Sequence, residues 1–169
     1  MKVLVITGSM GAGKTAVLGE ASDLLTLSNV AHAAVDLDNL GIYHLRHPAV
    51  PNLTLQNLSA VWRNYSAAGI DRLLIAEALE SAGHRDRLQS VIPDAEMVVC
   101  RLRAALATMQ QRVRTRESGM WRDRYLERVA TLEALLDAPH VEDFSVDTDG
   151  RSVTDVAREM LQRAGWLSP

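Results

Sequence analysis

The sequence predicts an α/β protein, a three-layer α/β/α sandwich around a five-stranded parallel sheet. Three observations lead to that class. Short apolar runs alternate along the chain with segments of helical period, the pattern expected of a parallel sheet with helical crossovers. A glycine-rich stretch, Gly8-Ser9-Met10-Gly11-Ala12-Gly13, joins the first apolar run directly to a helical pattern. No internal repeat or low-complexity tract interrupts the alternation, and 169 residues suit one domain with a substantial core.

The first strand is Lys2-Val3-Leu4-Val5-Ile6-Thr7. A helix follows over residues 13–28, with Val17, Ala21, Leu24 and Leu25 on one face and Asn29 near its end. The second strand, residues 31–36, closes on Asp36-Leu37-Asp38. Gly41, Pro48 and Pro51 then break regular structure, with Tyr43, His44, Arg46 and His47 between them. Such a polar loop beyond a strand's C-terminal end suits a ligand in an α/β protein, or is a plain surface connection. A helix over residues 54–68 carries Leu55, Leu58, Val61, Trp62 and Tyr65 on one face and ends at Gly69. Its two aromatic rings read as packing.

The third strand, residues 71–76, leads into Glu77. Gly83-His84-Arg85-Asp86-Arg87 opens a short helix that reaches Ile92 before the breaker Pro93. Strand four spans residues 96–102, and a helix over 104–117 follows, broken at Ser118-Gly119. The next helix, residues 122–136, buries Tyr125, Leu126, Val129, Leu132 and Leu136. Strand five is residues 143–147, and Thr148-Asp149-Gly150 turns away from it. Ser152, with Asp155 three residues on, caps a last helix containing Val153, Val156, Met160 and Leu161, which ends at Gly165.

Composition narrows the function classes. The formal net charge of −3 argues against nucleic acid as the main partner, and no apolar run is long enough to span a bilayer. The chain goes straight into a strand, leaving no space for a signal peptide. Cys100, the single cysteine, lies inside an apolar run, so it reads as inert core in a reduced compartment. Together these features predict a cytoplasmic protein of undetermined oligomeric state.

The glycine-rich stretch continues into Lys14 and Thr15 and completes G-x-x-x-x-G-K-S/T, in the strand–loop–helix context of a phosphate-binding P-loop. Gly8 and Gly13 allow backbone angles closed to other residues, so the amides of Ser9, Met10, Gly11 and Ala12 can turn inward around a phosphate. The helix start adds free amides and a positive dipole end. Lys14 brings a point charge to the outer phosphates, and the Thr15 hydroxyl is placed to ligate Mg²⁺. Lys2 and Lys14 are the only lysines in the chain. A sequence that otherwise uses arginine keeps the compact ammonium at the position the loop requires.

Asp36 and Asp38 stand at the same sheet edge as the loop. Two apart in an extended segment, they can face one side, one carboxylate toward the water shell of Mg²⁺ and the other toward an acceptor hydroxyl. The bland alternative makes them a helix cap and a turn residue. Glu77 closes an apolar strand as in a Walker B segment, so it is placed to hold metal-bound water, to polarise a water, or simply to begin a helix. Arg112, Arg114, Arg116, Arg122 and Arg124 form the densest basic segment. Arg112 and Arg116 share a helix face and can close over ATP and its γ-phosphate. The others read as a solvated face paired with Glu117, Asp123 and Glu127.

These residues resemble those of the small P-loop kinases: shikimate, gluconate, adenylylsulfate and adenylate kinases and chloramphenicol phosphotransferase. The resemblance rests on the opening strand and loop, Asp36-Leu37-Asp38, the arginines after strand four, and Val146-Asp147-Thr148 before the last helix. It implies strand order 2-3-1-4-5, ATP and Mg²⁺ as cofactors, and phosphoryl transfer to a small-molecule acceptor. It also implies Arg112 near adenine, Arg116 near the phosphates, Gly150 and Arg151 beside the base, and Asp38 at the acceptor. Residues 39–68 would form a substrate-side region and residues 112–124 a lid on a single domain spanning 1–169. The paired glycine of shikimate kinases after strand three is replaced by Ala76-Glu77-Ala78, and Leu37 precedes Asp38 where other members carry glycine-aspartate. The resemblance therefore names a reaction class and no acceptor. A GTPase is disfavoured: Asp38-Asn39-Leu40-Gly41 fits D-x-x-G, yet no lysine after Lys14 can complete a guanine-reading N-K-x-D. An ATP-binding or hydrolysing regulatory module stays open as the alternative.

Overall fold

The first strand, β1 (Lys2–Thr7), carries the most apolar run of the N-terminal third because it is covered on both faces: Val3, Leu4, Val5 and Ile6 have no exposed surface. The computed structural model describes residues 1–44, 46, 52–119, 121–137 and 141–168. In it, β1 pairs in parallel with β3 (Arg72–Ala76) on one side and β4 (Glu96–Arg103) on the other. β2 (Ala33–Asp36) and β5 (Phe144–Asp147) form the edges, giving the parallel order β2-β3-β1-β4-β5. That order is the one the resemblance implied.

Alternation along β1 divides the core in two. Leu4 and Ile6 pack with Val17, Ala21 and Leu24 of α1 (Lys14–Leu27), Met109 and Val113 of α5 (Leu106–Arg116), Val129 of α6 (Arg122–Asp137) and Met160 of α7 (Val153–Arg163). Val3 and Val5 pack on the opposite face with Leu58 and Trp62 of α3 (Leu53–Ala67) and Leu88 of α4 (Ala82–Val91). Trp62 is buried and Tyr65 packs against the same cluster, so both rings are core. Cys100 is fully buried, and burial pushes its thiol up to about 12, which leaves it protonated and unreactive at neutral pH.

Element boundaries fall within two residues of the sequence expectations, and the departures have local causes. β2 starts at Ala33 instead of residue 31; ahead of it, His32 Nδ1 donates to the Val30 carbonyl and its Nε2 pairs with the Ser22 hydroxyl, each at 2.8 Å. The chain after β2 differs more. A short helix, α2 (Leu37–Leu40), begins directly at Asp36, where an extended segment was expected. Pro48 and Pro51, expected to break this region, and His47 lie outside the described residues. Among the described residues, no helix is long and apolar enough to cross a membrane.

Candidate active site

The parallel sheet brings the C-terminal ends of β1, β2 and β3 to one edge, and the register aligns Ile6 with Ala76 and Ala76 with Asp36. The loop after β1 is fixed there by its neighbours. Gly8 (φ +144°) and Gly13 (φ +105°) take the positive angles expected of them. Gly11 (φ +80°) is excluded from any larger side chain as well, since a Cβ there would run into the backbone of Met109 on α5. The buried Ser9 hydroxyl donates to the Val129 carbonyl of α6 at 3.1 Å. Lys14 Nζ folds back over the loop and donates to the Gly8 carbonyl at 3.0 Å and the Ser9 carbonyl at 3.4 Å. Burial holds its pKa below the ordinary lysine value, against the opposing pull of Asp38, Glu77 and Asp36.

Asp36 holds two partners at once. Its Oδ2 accepts from the Thr15 hydroxyl at 2.7 Å, and its Oδ1 accepts from the Asp38 amide at 3.0 Å. The second bond caps α2, which corrects the extended geometry read from sequence: Asp38 sits in the first turn of that helix. Both acids still line one cavity with Lys14 and Thr15. Thr15 and Asp36 present a hydroxyl and a carboxylate at the end of the phosphate loop, hard oxygen donors of the kind Mg²⁺ takes beside waters and phosphate oxygens. The residues present fit that ion.

Glu77, for which the sequence leaves three roles open, is held in place by β1 and stands largely buried in the structure. Its amide donates to the Ile6 carbonyl at 3.1 Å, and the buried Thr7 hydroxyl accepts from the Leu79 amide at 2.9 Å, so β1 pins the segment beyond β3. Burial, and then the charge of Asp38, push the Glu77 carboxyl up to about 7, while Lys14 opposes the shift. Its Oε1 lies 3.8 Å from His84 Nε2 on α4.

Lys14, Thr15, Asp36, Asp38, Glu77 and Arg116 line one cavity of about 870 Å³. Arg116 projects from the last turn of α5 and pairs with Glu117 at 2.7 Å. Arg112 is placed differently. Its guanidinium donates to the Gly11 carbonyl at 3.1 Å, the Thr148 hydroxyl at 2.9 Å and the Thr148 carbonyl at 3.1 Å, tying the loop to the segment after β5. Gly150 (φ +65°) turns that segment, while Asp149 accepts from the Ala105 amide at 2.6 Å ahead of α5. Arg151 points toward α7, where it meets Glu159 at 2.6 Å and the Asp147 carbonyl at 3.2 Å. Of the arginines expected on a solvated face, Arg122 pairs with Asp123, while Glu117 is taken by Arg116.

The sequence reading missed one wall. Trp121, Arg124, Tyr125 and Arg128 of the α6 end line the same cavity, with the Arg124 guanidinium 5.2 Å from the Trp121 ring centroid. Trp121 followed by Arg124, Tyr125 and Arg128 at helical spacing was the available signal; the sequence expectation covers only Tyr125, as core, and Arg124, as surface.

No family model matches the chain, and no curated protein sequence matches it. Solved structures do. A gluconokinase from Sinorhizobium meliloti 1021 superposes with a TM-score of 0.63 at 15% identity, covering 97% of this chain and 91% of that one. The APS kinase of Mycobacterium tuberculosis, solved with AMPPNP and APS, gives 0.65 at 19% identity over 95% of each chain. Shikimate kinase from Acinetobacter baumannii, solved with shikimate, gives 0.58 at 18% identity over 96% of this chain and 92% of its own. At these identities the likeness is one of architecture, and on that ground the chain carries the α/β fold of the small P-loop kinases over nearly its whole length.

Proposed function

We propose that the protein transfers the γ-phosphoryl group of ATP to a small-molecule acceptor. The observation that carries this reading is the single cavity into which a P-loop lysine, the Thr15–Asp36 pair, two further carboxylates and an arginine all open. Phosphoryl transfer asks the protein for little covalent chemistry and much positioning, and this set supplies the positions. The loop amides of residues 8–13 and Lys14 cradle the phosphates. Thr15 and Asp36 hold Mg²⁺, which when bound neutralises charge on the phosphate oxygens. Arg116 adds a cation on the side of the lid, residues 112–124. Arg112 braces the loop near the adenine end, beside the turn of Gly150 and Arg151.

Asp38 accepts the hydrogen bond of the acceptor hydroxyl and takes its proton as the new oxygen–phosphorus bond forms. The bond from the γ-phosphorus to the bridging oxygen of ADP breaks in the same displacement, and ADP leaves with that electron pair. A second reading follows from Glu77. A carboxyl near 7 in the same cavity is suited to activating water, which would make the protein an ATP-hydrolysing module. ADP release measured with and without a panel of hydroxylated acceptors separates the two: stimulation by one acceptor supports transfer, and an equal rate with all of them supports hydrolysis. Under either reading, Mg·ATP raises the melting temperature of the wild type, and Lys14→Ala loses most of that rise without unfolding the apo protein. Equal stabilisation of both proteins would remove the nucleotide site.

A further inference from the structure

Arg101, near the end of β4, is the largest of the buried side chains, with 1% of its surface exposed. In the sheet register it stands beside Thr7, the last residue before the phosphate loop. Its guanidinium is directed at the last turns of α6. Nη1 donates to the Leu136 carbonyl at 2.8 Å, and Nη2 donates to Glu133 at 2.6 Å and pairs with Asp137 at 3.0 Å. The Leu136 carbonyl is among those at a helix end that no amide of the same helix can meet, and a cation there also answers the negative end of the dipole. Glu142, ahead of β5, lies 3.8 Å from Nη1. This arrangement is costly. Arg101 Nε, Glu133 Oε2 and Glu142 Oε2 are buried with no partner among the described residues. Apolar side chains of similar volume would pack β4 against α6 without that desolvation. What they would not supply is direction: an apolar contact tolerates sliding and rotation, and a planar guanidinium fork fixes both.

Direction matters because of what α6 carries. Arg124, Tyr125, Arg128 and Leu132 fall at successive turns and line the cavity. One residue beyond Arg128, the Val129 carbonyl receives the Ser9 hydroxyl of the phosphate loop at 3.1 Å. Among the described residues, the one ion pair from the N-terminal half of α6 to another element is Arg128–Glu80, at 3.0 Å between exposed side chains. The firm polar anchors are therefore Ser9 at the middle of the helix and Arg101 at its end. A slip of one residue would turn the helix by about 100° and carry the lining side chains off the wall. We propose that Arg101 is a positioning residue for phosphoryl transfer. It fixes the rotation and axial position of α6, and through them the cavity wall of Arg124, Tyr125 and Arg128 and the carbonyl that holds Ser9. The kinetic consequence rests on the phosphotransferase reading, and the placement of α6 does not.

The test combines fluorine NMR of the fluorotryptophan-labelled protein with steady-state kinetics. Trp62 and Trp166 are buried and Trp121 is half-exposed beside the start of α6, so the Trp121 resonance, assigned with Trp121→Phe, reports where that end of the helix stands. Two variants are compared with the wild type. One makes the network apolar, Arg101→Met with Glu133→Leu and Glu142→Leu. The other, Arg101→Lys, keeps the charge and loses the fork. The apolar variant should melt at or above the wild-type temperature, yet its Trp121 resonance should split or broaden. Its kcat for ADP release should fall about tenfold or more, while the Kd of a non-hydrolysable ATP analogue, set by the phosphate loop, stays within about threefold. Arg101→Lys should lie between the wild type and the apolar variant in both line width and rate. An unchanged Trp121 resonance, or an unchanged kcat, in whichever of the two variants folds would overturn the positioning role and leave Arg101 a structural residue. A wild type that neither binds the analogue nor releases ADP would overturn the phosphotransferase reading instead, and the fluorine spectra of the apo proteins would still decide whether Arg101 places α6.

Discussion

The two sides of the cavity are held by very different amounts of structure. Residues 8–13 are fixed from outside at nearly every step: Ser9 by α6, Gly11 by the backbone of α5, and the Gly11 and Thr148 carbonyls by Arg112. The opposite side begins with a helix of only four residues, α2, capped by Asp36, and continues through exposed Ile42 and Tyr43. In the proposed reaction the phosphate side would meet an invariant shape, a polyphosphate, that packing can fix in advance. The α2 side would meet the acceptor, with side chains set on a short, lightly held frame. Rigidity would then belong to the common substrate and side-chain identity to the particular one.

Asp38→Asn probes the lightly held side and should give the largest effect. It keeps shape and removes the charge that draws the acceptor's proton, so transfer should slow by roughly a hundredfold, about 2.7 kcal/mol in the barrier. ATP affinity, set by the other side, should move by less than about threefold, or roughly 0.6 kcal/mol. Steady-state rates and ATP titration on the same preparation check both numbers. Full transfer activity in Asp38→Asn would end its role and make Glu77 the leading carboxylate.

A pair of glycine substitutions sharpens the contrast in stability. Gly11→Ala places a methyl group against the Met109 backbone at a φ of +80°, and neither side can give without moving α5. Urea unfolding should show a loss of about 2 kcal/mol, with ATP-induced stabilisation lost as well. Gly41→Ala, on the α2 side, meets the Thr54 hydroxyl oxygen at 3.0 Å and the Leu37 carbonyl at 3.1 Å, at a negative φ. A side chain that rotates away and a short helix that shifts should keep its cost within about 1 kcal/mol. Comparable losses in the two variants would remove the distinction between the walls.

The same contrast explains what was legible in the sequence. The strands and the loop could be read because local pattern and tertiary demand coincide there: an apolar run buried on both faces, and glycines where the backbone needs them. Asp36 was recognisable as a carboxylate beside Thr15, and its cap on α2 was legible only as one alternative, since three polar residues and two leucines at 36–40 suit a turn as well as a helix. The clamp role of Arg112 was out of reach, because its partners, Gly11 and Thr148, are brought together only by the sheet order. Glu77 was visible as a residue and opaque in its role, because that depends on its burial and on Asp38 beside it.

A pH-dependent effect concerns Glu77, which lies where the two walls meet. Its ordinary pKa is 4.5 and the folded protein raises it to about 7, through burial and the neighbouring Asp38 and Asp36, with Lys14 opposing. A carboxyl raised on folding binds more protons in the native state than in the unfolded one across that interval. Its contribution is therefore fully present below about pH 4.5 and is lost as pH rises through about 7. The apo protein should lose roughly 1 to 2 kcal/mol from this group between those limits, after allowing for solvent in the open cavity. Other carboxylates act in the opposite sense at the acid end, so the readout is the difference between wild type and Glu77→Gln, measured by urea unfolding at pH 5, 6, 7 and 8. The variant should gain on the wild type steadily up to pH 8, because glutamine removes the charge that the cavity penalises and leaves Asp38 with one fewer repelling neighbour. Parallel stability curves would mean that solvent or His84, 3.8 Å away, compensates the charge, and that Glu77 belongs to the solvated acceptor side instead of the packed phosphate side.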